Sequence, residues 1–261
     1  MERTIINARG LGCQIGARFL LKDIDWEIED KSRWIIIGMN GSGKTTLLSI
    51  LSGYQAYNHG TLSYRGTSYQ EQDIFRIRKE MGWISNSFFD QVYHYESVLE
   101  ILLAGLSGTY GIEECVVRDR DIVKAKRLLA AMGLEDRLDT PFNWLSKGER
   151  QSVLIVRSLL AEPEILVFDE LMTGLDVMAS EKMMRFVQKL ANDRRHTMIY
   201  VTHHFDEISP ELFDHCLLLR NGMIYKKGLI EEIFRSDVIS DFLGVPVRLK
   251  QRENGYYFLT F

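Results

Sequence analysis

The sequence predicts an α/β fold, with a core of buried strands and helices, an antiparallel β edge and an inserted helical lobe. Three observations predict it. Residues 34–37 form a short continuous apolar run, as in a strand buried on both faces, and a glycine-rich loop follows directly. Residues 165–168 form a second such run, which ends in two acids. Between the two runs, apolar residues from about 96 to 160 recur at helical spacing.

The elements before the lobe follow from local patterns. The first 30 residues indicate strands at residues 4–8 and at residues 20–28, where apolar positions alternate. A helix is expected over residues 46–51, directly after the glycine-rich loop. Further strands are expected at residues 60–66, between turns, and at residues 81–85.

The lobe and the elements after it complete one large domain. Within the lobe, helical spacing recurs at residues 98–106, 123–132 and 149–160. The α/β alternation then returns at residues 165–168, 178–191, 197–201 and 215–219. Asn254-Gly255 is a signal for a two-residue hairpin turn. We therefore expect one domain over residues 1–245, with its lobe at about 90–160, and a short β-hairpin over residues 246–261.

The composition narrows the classes of function. Hydrophobic residues make up 46% of the chain and charged residues 26%, as in an ordinary globular protein. The net charge of −4 gives no general attraction to nucleic acid, so we expect no nucleic-acid partner. Cys13, Cys115 and Cys216 are scattered, which favours a reducing cytosol over a disulfide framework or a zinc site. No apolar run approaches the roughly 18 residues that a membrane span needs.

The glycine-rich loop, Gly38-Met-Asn-Gly41-Ser-Gly43-Lys44-Thr45, has the spacing of a phosphate-binding loop and lies between an apolar strand and a helix. Glycines let the backbone wrap phosphates, while exposed N–H groups and the helix N-terminus supply partial positive charge. Lys44 is expected to reach the β- and γ-phosphates, and the Thr45 hydroxyl to ligate Mg²⁺. The predicted ATP-binding residues here are Gly38, Asn40, Gly41, Ser42, Gly43, Lys44, Thr45 and Thr46.

The two acids that end the second apolar run predict hydrolytic chemistry. Asp169 is expected to hold Mg²⁺ through water, and Glu170 to orient and deprotonate the attacking water. An acidic turn after a core strand is the plain alternative. The phosphate-binding loop and the following Gly174-Leu175-Asp176 favour the chemical role.

The segment Leu145-Ser-Lys-Gly-Glu-Arg-Gln151, here called the signature segment, lies between the loop and the acids. That order resembles the ATP-binding cassette (ABC) ATPases from about residue 3 to about residue 245, which implies a P-loop NTPase core of ABC type. The resemblance implies that Ser146, Gly148 and Glu149 face the γ-phosphate of ATP held by a second copy of the chain. A capping box, with Ser146 as N-cap and Glu149 three residues later, explains the same residues, and both readings are compatible.

The resemblance assigns two further residues. His203 matches the family's switch histidine, which contacts the γ-phosphate. Asp176 ends a segment, residues 171–176, that resembles the family's D-loop, and it would touch the opposite site of a dimer. The family's usual proline and threonine in the D-loop are replaced by Leu171 and Met172.

Two further positions depart from the family pattern. Ile15 stands where an aromatic residue usually stacks on adenine, and Phe19 is the alternative contact to the base. Asn86 stands where a glutamine senses Mg²⁺ and couples to the membrane partner. The apolar residues just beyond it suit either a dock for a partner helix or the core of the lobe: Phe88, Phe89, Val92 and Tyr93.

These features together predict an ATP-binding and ATP-hydrolysing subunit that powers solute transport. The resemblance implies a head-to-tail dimer with two composite ATP sites, transmembrane permease subunits as partners, and a place on the cytoplasmic face of a membrane. The alternatives are a soluble ABC-class ATPase outside transport and a nucleotide-dependent regulator. A single core without long insertions disfavours the first, and intact acids disfavour the second.

Overall fold

A computed structural model describes residues 4–111, 117–253 and 255–260 of the chain, so Cys115 and Asn254 lie outside the described residues. The chain divides into two compact units. The first unit consists of Met1–Glu71 and Gln188–Phe261, and the second of Gln72–Val187. Each unit is described by itself.

The strands of the described residues, in chain order, are β1 Thr4–Ile15, β2 Arg18–Glu29, β3 Arg33–Ile37, β4 His59–Tyr64, β5 Thr67–Ser68, β6 Met81–Ser85, β7 Ile165–Asp169, β8 Thr197–Thr202, β9 His215–Arg220, β10 Met223–Leu229, β11 Arg248–Gln251 and β12 Tyr257–Thr260. The helices are α1 Lys44–Leu51, α2 Ile74–Glu80, α3 Asn86–Phe89, α4 Val98–Gly105, α5 Asp119–Ala131, α6 Lys147–Leu160, α7 Val177–Asp193, α8 Ile230–Ile233 and α9 Ser236–Leu243. None of these helices, within the described ranges, has both the length and the apolar composition that a membrane span requires.

The first unit combines an antiparallel sheet with a group of parallel strands. The antiparallel sheet has the order β2-β1-β4-β5. In the parallel group, Ile35 of β3 is paired with Tyr200 of β8 on one side and with Cys216 of β9 on the other. All residues of β3 and β8 are buried, which explains their continuous apolar sequences, whereas buried and exposed residues alternate along most of β2.

An ion pair anchors the start of β3. Arg33 is only 4% exposed, and its guanidinium Nε and Nη2 lie 3.0 and 2.5 Å from the two carboxylate oxygens of Asp214. The same carboxylate accepts a hydrogen bond from the Arg33 backbone N–H, at 3.1 Å. Burial alone would raise the pKa of Asp214, but the hydrogen bonds and charge of Arg33 outweigh burial and hold that pKa below its usual value.

The second unit joins two parallel strands to the helical lobe. β6 and β7 are paired in register from Met81 with Ile165 to Ser85 with Asp169. Helix α6 packs against α4, α5 and β6. Under these helices, the rings of Phe89 and Tyr93 are stacked with centroids 5.6 Å apart.

Of the four apolar residues after Asn86, only this aromatic pair is buried, whereas Phe88 and Val92 are partly exposed. Phe89 is fully buried and Tyr93 is 2% exposed, so both belong to the core of the lobe and neither is available to a partner helix. The Arg157 guanidinium lies over the Phe89 ring, 4.9 Å from its centroid, and its Nε donates to the Tyr93 hydroxyl at 3.1 Å. A buried cation is thereby satisfied by a π face and a hydroxyl.

Two strand boundaries differ most from expectation. β1 continues to Ile15 although the apolar alternation ends near Ala8, because bulges between Ala8 and Leu11 absorb the change of register. At the C-terminus, β11 and β12 are paired from Arg248 with Thr260 to Gln251 with Tyr257, so the connection is longer than the two residues expected.

We predict that Asp214→Asn lowers the free energy of unfolding by about 3 kcal/mol near neutral pH, because it leaves the buried Arg33 without a counter-charge. Since the pKa of Asp214 is lower in the folded state, the stability that its charge contributes is present above the unfolded value near pH 4. That contribution is lost as the pH falls through the folded pKa, so the two proteins should converge in acid. Urea unfolding at several pH values measures the difference, with Asp237→Asn, at an exposed ion pair, as the control.

Candidate active site

The phosphate-binding loop lies in the first unit, between β3 and α1. Gly43 caps α1 with φ +103°, a left-handed conformation that favours glycine. The Lys44 ammonium is almost buried and donates to the Gly38 carbonyl at 2.8 Å and to the Met39 carbonyl at 3.3 Å. The lysine therefore already lies inside the loop that would surround a phosphate.

Close packing of the backbone requires glycine at the start of the loop. A Cβ added to Gly38 would lie 2.3 Å from Ser42 Oγ and 2.6 Å from the backbone carbonyl oxygen of Leu219 in β9. Ser42 Oγ is buried and has no hydrogen-bond partner among the described residues. A buried hydroxyl without a partner is costly, and a phosphate oxygen would satisfy it, so the loop fits a nucleotide.

Functional groups follow paired parallel strands in both units. In the first unit, Ile37 is paired with Thr202, so the loop and His203 begin at the same edge of their strands. In the second unit, Ser85 is paired with Asp169. The carboxyl ends of parallel strands are where α/β folds place ligands, and each unit carries groups of the predicted site there.

The acidic residues lie at the end of β7. Asp169 is buried, and one of its carboxylate oxygens accepts a hydrogen bond of 3.0 Å from the Ser85 hydroxyl. Glu170 is partly exposed and has φ +52°, which ends the strand and starts a turn in which the Thr173 N–H donates to the Glu170 carbonyl at 3.1 Å. The two acids thus differ in burial, as different roles would require.

Asn86 begins α3 and is only 8% exposed. Neither its side-chain oxygen nor its side-chain nitrogen has a hydrogen-bond partner in the described part of the chain. Burying a carboxamide without partners costs about 1–3 kcal/mol, so this amide suits a ligand such as Mg²⁺ or a water bound to it. Among the described residues, no cluster of three or more His, Cys, Asp or Glu residues forms a metal site on its own.

The signature segment begins α6 with a reciprocal cap. Ser146 Oγ accepts a hydrogen bond from the Glu149 N–H at 3.3 Å, and Glu149 Oε2 accepts one from the Ser146 N–H at 2.8 Å. The hydrogen bond from the Ser146 backbone N–H contributes most to lowering the pKa of Glu149; a hydrogen bond from the Ser146 hydroxyl to the carboxylate and the charge of Arg137 add smaller effects. The capping box expected from the sequence is therefore present.

Gly148 is not required by packing within the chain. A Cβ added there would meet its nearest neighbours, Leu175 Cδ2 and Ala179 Cβ, at 3.6 and 3.7 Å, which is ordinary van der Waals contact. Gly174 in the D-loop differs, because a Cβ there would lie 2.5 Å from Lys147 Nζ. Two in-chain contacts between the signature segment and the D-loop were thus not foreseen from the sequence: Lys147 over Gly174, and Gln151 Nε2 to the Leu171 carbonyl.

The remaining predicted residues lie on the surface of their units. Asp176 is exposed and caps α7, where its Oδ1 accepts from the Ala179 N–H at 2.9 Å. Ile15 is 64% exposed at the tip of the β1–β2 hairpin and is paired with Arg18, whereas Phe19 is paired with Gln14. Adjacent pairs point to opposite faces, so Phe19 does not share the face of Ile15.

The sequence patterns did not indicate one titratable group, Glu207, which follows β8. Glu207 accepts a hydrogen bond of 2.8 Å from the hydroxyl of Tyr200. Burial raises the pKa of Glu207, and this hydrogen bond only partly opposes the effect. No local pattern marks Glu207, because its burial depends on the packing of the chain after β8.

The family model described as "ABC transporter" matches residues 21–173. The chain is also 33% identical over 247 residues to the uncharacterized ABC transporter ATP-binding protein YlmA of Bacillus subtilis, with 94% of this chain and 93% of that protein covered. The chain belongs to the ABC transporter family. It is an ATP-binding subunit that hydrolyses ATP, as the sequence predicted.

Further similarities, one in sequence and one in fold, support this family membership. The chain is 31% identical to the L-cystine import ATP-binding protein TcyC of Bacillus subtilis, over 88% of this chain and 92% of that one. Its fold is similar to that of MJ1267, an ATP-binding cassette of an ABC transporter in the ADP conformation, with a TM-score of 0.73. That likeness covers 94% of this chain and 99% of the other at 22% identity. The predicted ABC-type P-loop fold is confirmed.

We predict that Gly38→Ala lowers ATP affinity of this ABC subunit at least about tenfold, because the new Cβ would displace the loop from the Leu219 carbonyl. Gly111→Ala is the control, since a Cβ there meets nothing within 4 Å. Isothermal titration calorimetry with ATP measures the affinity. Equal affinity of the two variants would contradict the assigned role of the loop.

Proposed function

We propose that two copies of the chain bind two ATP molecules head to tail, and that each site uses residues of both copies. The observation that carries this proposal is Gly148. The chain's own packing leaves room for a side chain there, so the start of α6 is open to a group from a second copy of the chain. In the proposed dimer, Ser146, Gly148 and Glu149 face the γ-phosphate bound to the partner, and Asp176 lies close to the opposite site.

Within one chain, we propose that the phosphate-binding loop holds the phosphates. On binding, Lys44 exchanges its hydrogen bonds to the Gly38 and Met39 carbonyls for phosphate oxygens, so its charge is used without being exposed to water. The remaining loop contacts come from Asn40, Gly41, Ser42, Gly43, Thr45 and Thr46. Ile15 covers the base with an aliphatic surface, so we expect weaker base discrimination than stacking would give.

We propose that oxygen atoms of Thr45, Asp169 and Asn86 hold Mg²⁺, which prefers oxygen ligands. When bound, Mg²⁺ supplies charge that neutralises the phosphates. Glu170 accepts a proton from a water molecule as the water oxygen bonds to the γ-phosphorus. The bond from that phosphorus to the bridging oxygen breaks, and ADP and phosphate form. His203 donates a hydrogen bond to the γ-phosphate and holds the γ-phosphorus in line with the attacking water.

We propose that the membrane partner is a transmembrane permease and that the subunit works on the cytoplasmic face of the membrane. The support is the family membership. TcyC is named for L-cystine import, and YlmA carries no solute in its name.

We predict that Glu170→Gln slows hydrolysis about a hundredfold or more, the scale of a lost general base. ATP binding should survive, because the loop and Asp169 are unchanged, and the ATP-bound dimer should accumulate. Phosphate release measures the rate, and size-exclusion chromatography with ATP measures the dimer. Glu181→Gln, at an exposed ion pair on α7, is the control. Normal hydrolysis by the Glu170 variant would remove that residue from the base role.

Mixed dimers test the composite site directly. We predict that Lys44→Ala and Ser146→Arg each abolish hydrolysis when alone, because the first lacks a phosphate contact and the second blocks the helix start. Mixing them should restore turnover, since one site then combines Lys44 and Glu170 of the Ser146 variant with Ser146 and Gly148 of the other chain.

The cap at Ser146 requires its own control, because loss of a cap costs about 1 kcal/mol within one chain. Ser146→Ala loses the cap without adding bulk and separates helix damage from blockage. A role for Ser146 in capping alone predicts no rescue on mixing. Mixed dimers that form, as shown by differently tagged chains, yet stay inactive would contradict a composite site with independent halves.

A further inference from the structure

A short chain of hydroxyl groups reaches the buried acid at the end of β7. Ser85 Oγ is fully buried, 3.0 Å from Asp169 Oδ2 and 3.1 Å from Ser87 Oγ. Ser87 is exposed, so this series of hydroxyl groups connects the surface of α3 with the buried Asp169 carboxylate. All three residues belong to the second unit.

Counting protons fixes the direction of these hydrogen bonds. In the ionised form that would hold Mg²⁺, the Asp169 carboxylate only accepts, so the single proton of the Ser85 hydroxyl is donated to it. Ser85 can then take part in its contact with Ser87 only as the acceptor, and Ser87 must donate. Hydrogen bonds aligned in this way polarise one another, which strengthens the inner bond to the carboxylate.

We propose that Ser85 is a positioning residue that fixes the Asp169 carboxylate in the orientation in which it takes Mg²⁺. The inference rests on the proposed role of Asp169. β6 and β7 are paired through their backbones, so the strands do not need the hydroxyl to keep their register. The Ser85 hydroxyl instead restrains rotation of the Asp169 carboxylate through its hydrogen bond to Oδ2.

A charge-assisted hydrogen bond of this kind is stronger than a neutral one. Its loss should therefore appear as a higher Mg²⁺ requirement. Nucleotide binding without Mg²⁺ should not change, because Ser85 contacts the acid rather than the phosphate-binding loop.

The experiment titrates MgCl₂ into the protein with the fluorescent nucleotide mant-ADP, which avoids hydrolysis, and repeats the binding in EDTA. Ser85→Ala should raise the Mg²⁺ concentration at which the change in mant-ADP binding is half-maximal about fivefold to tenfold. The affinity for mant-ADP in EDTA should stay within about twofold of the wild-type value. Ser85→Thr, which keeps the hydroxyl, should restore the wild-type requirement. The matched control is Ser158→Ala, which removes a buried hydroxyl that has no hydrogen-bond partner among the described residues.

Equal losses with and without Mg²⁺, or no change in Ser85→Ala, would overturn the proposal. If Ser85→Ala does not fold, the exposed Ser87→Ala decides: a roughly twofold rise supports the hydroxyl chain, and no rise overturns it. Asp169→Asn tests the role on which the inference rests. If that variant keeps the wild-type Mg²⁺ requirement, the assignment of Asp169 fails. If it loses Mg²⁺ dependence while Ser85→Ala keeps the wild-type Mg²⁺ requirement, only the role of Ser85 fails.

Discussion

The pairing of β3 on both sides is the constraint on which the first unit depends. A strand between two parallel neighbours has no free edge, so its ends are fixed by its partners. Arg33 and Asp214 secure the start of β3, and at its other end Gly38 turns the chain where a Cβ would meet the Leu219 carbonyl. The position of the phosphate-binding loop is therefore set by strand pairing and close backbone contact, and Lys44 is held inside the loop.

In the second unit, strand pairing likewise fixes the position of a functional group, here the negatively charged carboxylate of Asp169. The register that places Ser85 opposite Asp169 brings a donor to a buried carboxylate. Unpaired, such an acid would be costly to keep ionised. Asn86 follows directly after β6, at the start of α3, with a side-chain amide that the described chain leaves unsatisfied. The fold thus supplies a hydrogen bond to the buried Asp169 carboxylate and leaves the buried Asn86 amide for a ligand. Such an unsatisfied buried group is typical of a binding site and unusual in a hydrophobic core.

The sequence predicted the parts of this structure that are encoded locally. β3, β6 and β7 are continuous apolar runs, and the capping box at Ser146 and Glu149 is a spacing of three residues. Other features depend on contacts between distant residues. β10 was missed because its lysines and exposed positions do not form an apolar pattern. The burial of Phe89 beneath α6 was left open, since an aromatic run suits a core and a surface equally. The pairing of Ser85 with Asp169 requires the strand register, which no single segment contains.

The contact of Lys147 with Gly174 constrains the two positions unequally. Gly174 has φ +77°, so its own conformation favours glycine whatever the neighbouring space. Lys147 is exposed, and only the flexible end of its side chain lies near that glycine, so it can move aside. Chimeric subunits assembled from related proteins should therefore tolerate an exchanged residue at position 147, whereas any exchanged segment over residues 171–176 should keep glycine at position 174.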